Sequence, residues 1–241
     1  SHIIYTRCDG RGPILMMLPQ DDTCIEFFTV NESRICYIYT CSKEACRIAA
    51  EKGSTARLPG TYRVLKPGEV YSASFLYTWA RDYRDAKNKL VEYGLVDVDV
   101  APGMTVPRDL DAMVHLRVKN RELKLIPQFE EKTTLEKIKE TGDGIIYKIH
   151  FDKLGENSIK VLYGENRYMY LEFFVTEPVE TMIKKRAAFI ASKQIKNPEL
   201  WYDGLFAEWN NETNVVLSPD NYDKIKGWRI YEVTCDDPGL S

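Results

Sequence analysis

The fold of this chain is decided by a stretch that reads Ile145-Ile146-Tyr147-Lys148-Ile149-His150-Phe151. Short runs rich in Ile, Tyr, Phe and Val that are bounded by turn residues are typical of β-strands. Four further runs of this kind surround it at nearly even spacing, at 113–118, 123–129, 158–162 and 168–175. Such even spacing of short strands predicts a small immunoglobulin-like sandwich.

Strand patterns also fill the beginning of the chain. The runs at 3–6, 14–18, 24–30 and 35–39 are separated by turn residues, so this half is expected to be antiparallel. Two more strands are predicted at 62–65 and 71–77. The fold class expected from these patterns is therefore mainly β.

Two helices interrupt the strands of the first half. Ser42 is expected to cap a short helix that runs to about Lys52, with Gly53 ending it. Residues 79–93 place apolar side chains at helical spacing and charged ones on the opposite face, which predicts an amphipathic helix packed on the sheet. Gly94 ends this pattern.

Breaking residues divide the chain. Pro102, Gly103 and Pro107 make the stretch 101–111 irregular, and Pro178 suits the first turn of a helix that extends to about Gln194. We therefore predict three domains. They are an antiparallel β-sandwich with a packed helix (1–108), an immunoglobulin-like β domain (109–177), and a linker helix with the start of an α-helical domain (178–241).

Composition excludes several classes of function. The 33 basic and 36 acidic residues give a net charge of −3 without a clustered basic run, which argues against nucleic-acid binding. No window of about 18 apolar residues exists, so no membrane insertion is expected. Motifs typical of P-loop, dinucleotide-binding, zinc-protease and serine-hydrolase sites are not found, and no cofactor is expected.

The six cysteines do not suggest a metal site. Cys36, Cys41 and Cys46 have four-residue gaps rather than the paired spacing of zinc sites, and the three histidines lie elsewhere. The even count leaves two alternatives open, an oxidised disulfide framework or buried free thiols.

Residue order over much of the chain carries a resemblance. The segments 187–194, Trp201-Tyr202-Asp203-Gly204-Leu205-Phe206 and 227–238, together with 68–71 and 77–83, resemble a family of large bacterial and fungal proteins of unassigned function. The catalytic part of that family looks like a six-hairpin (α/α) toroid. The resemblance therefore implies that the first domain (1–108) is of supersandwich type and that the last (178–241) is the start of an α/α toroid-like domain. The resemblance implies an extracellular or periplasmic protein that binds or cleaves a poly- or oligosaccharide, with this chain as a segment of a larger protein.

Carboxylates near the end of the chain are the catalytic candidates. Glycoside hydrolysis commonly needs two carboxyl groups about 5 to 9.5 Å apart. We select Asp236 and Asp237, because the following Pro238 predicts a turn that could present a carboxylate at a cleft. The alternative is a turn in which one aspartate caps a helix.

The expected substrate-binding residues are Trp201, Tyr202, Asp203 and Trp209. Flat aromatic faces suit the apolar face of a pyranose, although core packing of the same aromatics remains the alternative. Because the strands alternate apolar residues with Lys, Glu and Arg, we expect no obvious aromatic strip on their polar faces and place the sugar contact in this C-terminal segment.

The function that the resemblance implies is a segment of an extracellular carbohydrate-active enzyme, a glycoside hydrolase, whose sandwiches support a toroid cleft. We expect the segment alone to be inactive, since an incomplete toroid cannot hold two carboxylates in register. The alternative is a non-catalytic glycan-binding or structural adhesion module.

Overall fold

The computed structural model describes residues 2–30, 34–53, 60–119, 122–164, 167–192, 194, 196–199, 203–204, 209–210 and 215–216. The strands are β1 (Ile3–Tyr5), β2 (Ile14–Gln20), β3 (Phe27–Val30), β4 (Cys36–Tyr39), β5 (Ser74–Ala80), β6 (Asp97–Ala101), β7 (Thr105–Pro107), β8 (Ala112–Arg117), β9 (Leu123–Pro127), β10 (Thr133–Glu140), β11 (Gly144–Phe151), β12 (Gly155–Tyr163), β13 (Arg167–Thr176), β14 (Trp209–Asn210) and β15 (Val215–Val216). The helices are α1 (Lys43–Glu51), α2 (Tyr83–Glu92) and α3 (Val179–Ser192), and a 3-10 turn spans Glu130–Lys132. The described chain is therefore mainly β, with few helices.

The first half is built on a three-stranded antiparallel sheet in the order β1-β2-β5. Helix α2 packs on one face of this sheet, where Met16 and Leu18 of β2 and Ala86 and Leu90 of the helix form a shared core. Asp82 caps the helix, because its side chain accepts a hydrogen bond from Asp85 N. The pairing of β2 with β5 joins Gln20 to Ser74, so the segment between them leaves and rejoins the sheet at neighbouring positions.

That segment contains a two-stranded ribbon, formed by β3 and β4, and helix α1. Glu26 fastens the segment: Oε2 accepts hydrogen bonds from Ser42 N, Ser42 Oγ and Thr61 N, each 2.9 Å long, and Oε1 accepts one from Thr61 Oγ1. Ser42 precedes α1 as predicted, but its hydroxyl serves Glu26 and makes no capping bond to the helix.

The second half is a sandwich of two four-stranded sheets, ordered β10-β11-β8-β6 and β7-β13-β12-β9. Neighbouring strands are antiparallel except for β7, which runs parallel to β13. The facing sides share one core that includes Val114 and Phe151 from one sheet and Val161 and Phe173 from the other. The rings of Phe151 and Phe173 meet with their centroids 4.8 Å apart.

A charged cluster joins α2 to the outer side of the first sandwich sheet. Arg117 Nη2 donates a 2.6 Å hydrogen bond to Asn88 Oδ1, and Arg117 Nη1 lies 3.3 Å from Asp97 Oδ2. Lys87 Nζ lies 3.6 Å from the same carboxylate and pairs with Asp99. Strands β1 to β13 and helices α1 and α2 belong to one compact unit, Ser1–Thr176. A second unit starts at Glu177.

Several sequence predictions are confirmed. Strands occupy the five runs used to predict the sandwich, helix α1 lies where it was expected, and α3 follows Pro178. Gly53 adopts a φ of +84° directly after α1, which is the left-handed conformation that ends a helix. The immunoglobulin-like topology, the toroid and the three domain boundaries stay predictions.

Other predictions of secondary structure are wrong. Residues 62–65 form no strand, and Trp79 lies in β5 rather than in a helix, because the run from Phe75 onward pairs with β2. The stretch expected to be irregular contains β7, with Val106 fully buried. Strand β10 was missed, since it is an edge strand whose mostly exposed residues carry charges instead of an apolar run.

Candidate functional site

The sheet β1-β2-β5 has an apolar face on the side away from helix α2. Side chains alternate along a strand, so the residues that do not join the helix-side core lie together on this face. They are Ile3, Tyr5, Leu15, Met17, Pro19, Phe75, Tyr77 and Trp79. We call this surface the aromatic face.

Three aromatic side chains dominate its exposed area. Tyr5 is 43% exposed, Tyr77 58% and Trp79 61%, although each lies within a strand. The register places Tyr5 and Trp79 on either side of Leu15, and Tyr77 beside Met17. The three rings therefore cover the central strand from both sides.

A methionine sulfur fixes the two tyrosines. Tyr77 Oη donates a hydrogen bond to Met17 Sδ at 3.2 Å, and Tyr5 Oη reaches the same sulfur at 3.7 Å. Burial raises the pKa of Tyr5, and neighbouring Tyr77 and Cys36 raise it further, so this phenol stays neutral. Ring positions set by such contacts make a preformed surface.

A cavity of about 480 Å³ adjoins the aromatic face. It lies between β1 and the ribbon of β3 and β4, and Phe28 on the ribbon is 62% exposed. The lining residues are His2, Ile3, Ile4, Ile25, Glu26, Phe27, Phe28 and Cys36. Burial raises the pKa of Glu26, but the hydrogen bonds from Thr61 and Ser42 outweigh this effect and hold the pKa below its usual range. Glu26 is therefore an ionised carboxylate whose hydrogen bonds are made to Ser42 and Thr61.

A second cavity of about 480 Å³ lies beside helix α2, lined chiefly by apolar side chains with Asp97 and Lys87 at its wall. Burial raises the pKa of Asp97, while Lys87 and Arg117 oppose the rise. A buried carboxyl with a raised pKa is a general indicator of function. Here both neighbouring cations pair with it, and the arrangement fits a structural role in joining α2 to the sandwich.

The two histidines expected in strands lie there. His150 Nδ1 is 2.9 Å from Asp111 Oδ1, and Lys148 Nζ is 3.2 Å from the other oxygen of that carboxylate. His115 Nε2 lies 3.2 Å from Thr141 Oγ1. Both rings are satisfied by polar neighbours on the outer side of the sheet, as expected for strand histidines.

The described residues form no group of three or more His, Cys, Asp or Glu side chains suited to hold a metal ion. The five cysteines in the described ranges, Cys8, Cys24, Cys36, Cys41 and Cys46, are free thiols. None of the described helices is both long and apolar enough to cross a membrane.

Most of the site residues proposed from sequence lie outside the described residues. Asp236, Asp237, Trp201 and Tyr202 all belong to this group, and Trp209 is described only as the first residue of β14.

Asp203 is described, and its Oδ1 accepts a 2.7 Å hydrogen bond from Asn197 N. This bond gives the carboxylate a local structural partner. Trp201, Tyr202, Asp236 and Asp237 lie outside the described residues, so the grouping of Asp203 with them stays a prediction.

The sequence predicts no aromatic strip on the polar faces of the strands, but exposed aromatic side chains do lie on an apolar face of the sheet β1-β2-β5. Tyr77 and Trp79 are two residues apart in β5 and so point the same way, which the alternation of a strand requires. The alternation of Tyr77 and Trp79 is visible in the sequence, but Trp79 also fits the helical spacing of residues 79–93. That Tyr5 lies on the same face follows only from the order of the strands.

The comparison with curated proteins gives no match. Among solved structures, the fold is similar to that of a protein described as a polysaccharide lyase, with a TM-score of 0.63 and 19% sequence identity. The match covers 90% of this chain and 32% of the lyase, so the chain spans about a third of that protein's length. The model of a family of unknown function, DUF5695, matches residues 2–216. Since this match includes most of the sequence, the chain belongs to the DUF5695 family.

Proposed function

We propose that this chain is a polysaccharide-binding segment of a carbohydrate-active enzyme and that the aromatic face is its binding surface. The observation that carries the proposal is the group of exposed rings of Tyr5, Tyr77 and Trp79 on one face of a regular sheet, with both tyrosine hydroxyls held by Met17. Exposed apolar surface of this kind on a folded domain usually marks an interaction site.

The chemistry of a pyranose suits this surface. A pyranose ring has an apolar side made of C–H groups, and an aromatic ring offers a flat partner with an electron-rich face. Each such stacked pair contributes roughly 1 kcal/mol beyond the area it buries. Several rings in a row therefore give useful affinity for a polymer, even though each contact is weak.

The fold supports the same class of function. A polysaccharide lyase shares the architecture over nearly the whole chain, although the low identity limits that comparison to the fold. Extending the proposal to the full-length protein, we retain the sequence-based expectation of an extracellular or periplasmic glycosidase. Its immunoglobulin-like sandwich would support a toroid that starts after Pro178, with Asp236 and Asp237 as the candidate carboxylates. The segment alone should release no reducing sugar.

Affinity electrophoresis and calorimetry with a panel of neutral and acidic polysaccharides test the binding function. Trp79→Ala and Tyr77→Ala are expected to weaken binding about tenfold each, because each removes one stacking partner. Tyr83→Ala is the matched control, since Tyr83 is equally exposed at 58% but lies on helix α2, which packs on the opposite face of the sheet. Unchanged binding by folded Trp79→Ala and Tyr77→Ala variants would show that the aromatic face is not the binding site.

A further inference from the structure

The aromatic face and the cavity beside it form one continuous surface. Ile3 belongs to the aromatic face and also lines the cavity, whose other side is the ribbon with Phe28 and Cys36. Cys36 of β4 and Ile3 of β1 line the same cavity, which places the ribbon next to the aromatic face. A ligand stacked on the face therefore has an open path toward Phe28.

This surface carries no charge that a ligand could use. All side chains of the aromatic face are uncharged. Of the ionisable groups that line the cavity, Glu26 is engaged by Ser42 and Thr61, and burial lowers the pKa of His2 to about 4, so that His2 is neutral at pH 7. An anionic sugar would lose hydration here without gaining a cation in return.

The spacing of the rings requires more than one sugar unit. Neighbouring strands of a sheet lie about 4.8 Å apart, so Tyr5 and Trp79, which flank β2, are separated by about 10 Å. The ribbon lies beyond Tyr5 and lengthens the surface further. A single pyranose covers only one of these rings.

We propose that the site takes the interior of an uncharged, extended polysaccharide chain, which lies across Trp79, Tyr77 and Tyr5 and continues to Phe28 on the ribbon. This inference rests on the proposed function and adds the charge, the minimum length and the path of the ligand. Because the hydroxyls of Tyr5 and Tyr77 are directed to Met17, recognition is by stacking rather than by hydrogen bonds from these phenols.

The test is a calorimetric titration of the 241-residue chain with cello-, manno-, xylo- and laminari-oligosaccharides, each as a ladder from disaccharide to octasaccharide. At least one ladder should show affinity that rises with length, with little dependence on salt, because no ion pair forms. Oligogalacturonates should not compete. Phe28→Ala is expected to lower octasaccharide affinity about tenfold while leaving trisaccharide affinity unchanged, since only the longer ligand reaches the ribbon.

The outcomes separate the inference from the function on which it rests. If Trp79→Ala abolishes binding while Phe28→Ala leaves every length unaffected, the glycan site stands and the path to the ribbon is wrong. Tighter, salt-sensitive binding of oligogalacturonate would show that the ligand is charged. An affinity that does not increase beyond the disaccharide would show that the ligand is not an extended chain. If neither the neutral ladders nor oligogalacturonate binds, both proposals fail. Phe28 is 62% exposed, so its replacement should not perturb folding, and Tyr83→Ala again serves as the control.

Discussion

Arg117 Nη2 donates a 2.6 Å hydrogen bond to Asn88 Oδ1, and through this bond a sandwich strand holds the helix that packs behind the aromatic face. The same guanidinium contacts Asp97 at 3.3 Å and Asp143 at 3.1 Å. One side chain thus connects helix α2, strand β6 and the turn before β11. The position of the aromatic face relative to the sandwich depends on this residue.

Arg117→Ala should destabilise the protein by about 1.5–3 kcal/mol, because it removes one of the two cations that pair with the buried Asp97 and leaves only Lys87. Arg81→Ala is the control. Its side chain is 87% exposed and its ion pair with Asp85 is 3.5 Å long, so the loss should stay below about 1 kcal/mol. Urea unfolding measures both values, and equal midpoints for the two variants would refute a structural role for the cluster.

Glu26→Gln should lower stability at neutral pH by about 2 kcal/mol, since a carboxylate accepts its hydrogen bonds more strongly than an amide. The pKa of Glu26 is lowered in the folded state, so its ionised form adds stability above the unfolded pKa, and this stability is lost as the pH falls through the folded pKa. The difference in Tm between wild type and variant should therefore shrink on acidification. A difference that grows in acid would contradict the assigned direction.

Phe173 and Phe174 are neighbours on β13 but face opposite sides, with exposures of 2% and 46%. Phe173→Ala should cost about 3–5 kcal/mol through the cavity it leaves beside Phe151. Phe174→Ala should cost less than about 1 kcal/mol, because the ring is already half in water. Equal losses in chemical denaturation would show that the assigned faces of β13 are wrong.

A chain shortened to end at Thr176 should unfold cooperatively and keep its glycan affinity, because residues 1–176 form one compact unit that contains the aromatic face. Thermal unfolding and calorimetry check the two expectations. Loss of binding with retained folding would return the site to the C-terminal segment, where the sequence had placed it around Trp201 and Trp209. This result would also support the sequence-based prediction that Tyr202 and Asp203 bind substrate.

Sequence patterns predicted the strands of the sandwich because β8, β11, β12 and β13 are buried on at least one side and so carry dense apolar residues. They failed at β10, where the edge position permits polar residues, and at β7, which is only Thr105–Pro107. Short or exposed strands are specified by their partners rather than by their own composition.

The candidate site was harder to predict than the fold. Tyr5 and Trp79 are far apart in sequence and lie on either side of β2 only because β1 and β5 pair with the two edges of that strand. Their shared face depends on the strand order, which no local sequence pattern can predict. The hydrogen bonds that direct both tyrosine hydroxyls to Met17 likewise depend on tertiary register.

The segment that leaves the sheet after Gln20 and returns at Ser74 starts and ends at paired residues. Its two ends are therefore only about 5 Å apart, a gap that a tight turn can close. The ribbon that forms one wall of the cavity can consequently be lengthened, shortened or exchanged without breaking the sheet beside it. If the aromatic face binds glycans as proposed, changes in the ribbon would alter the length of ligand bound at one end while the aromatic face stays constant.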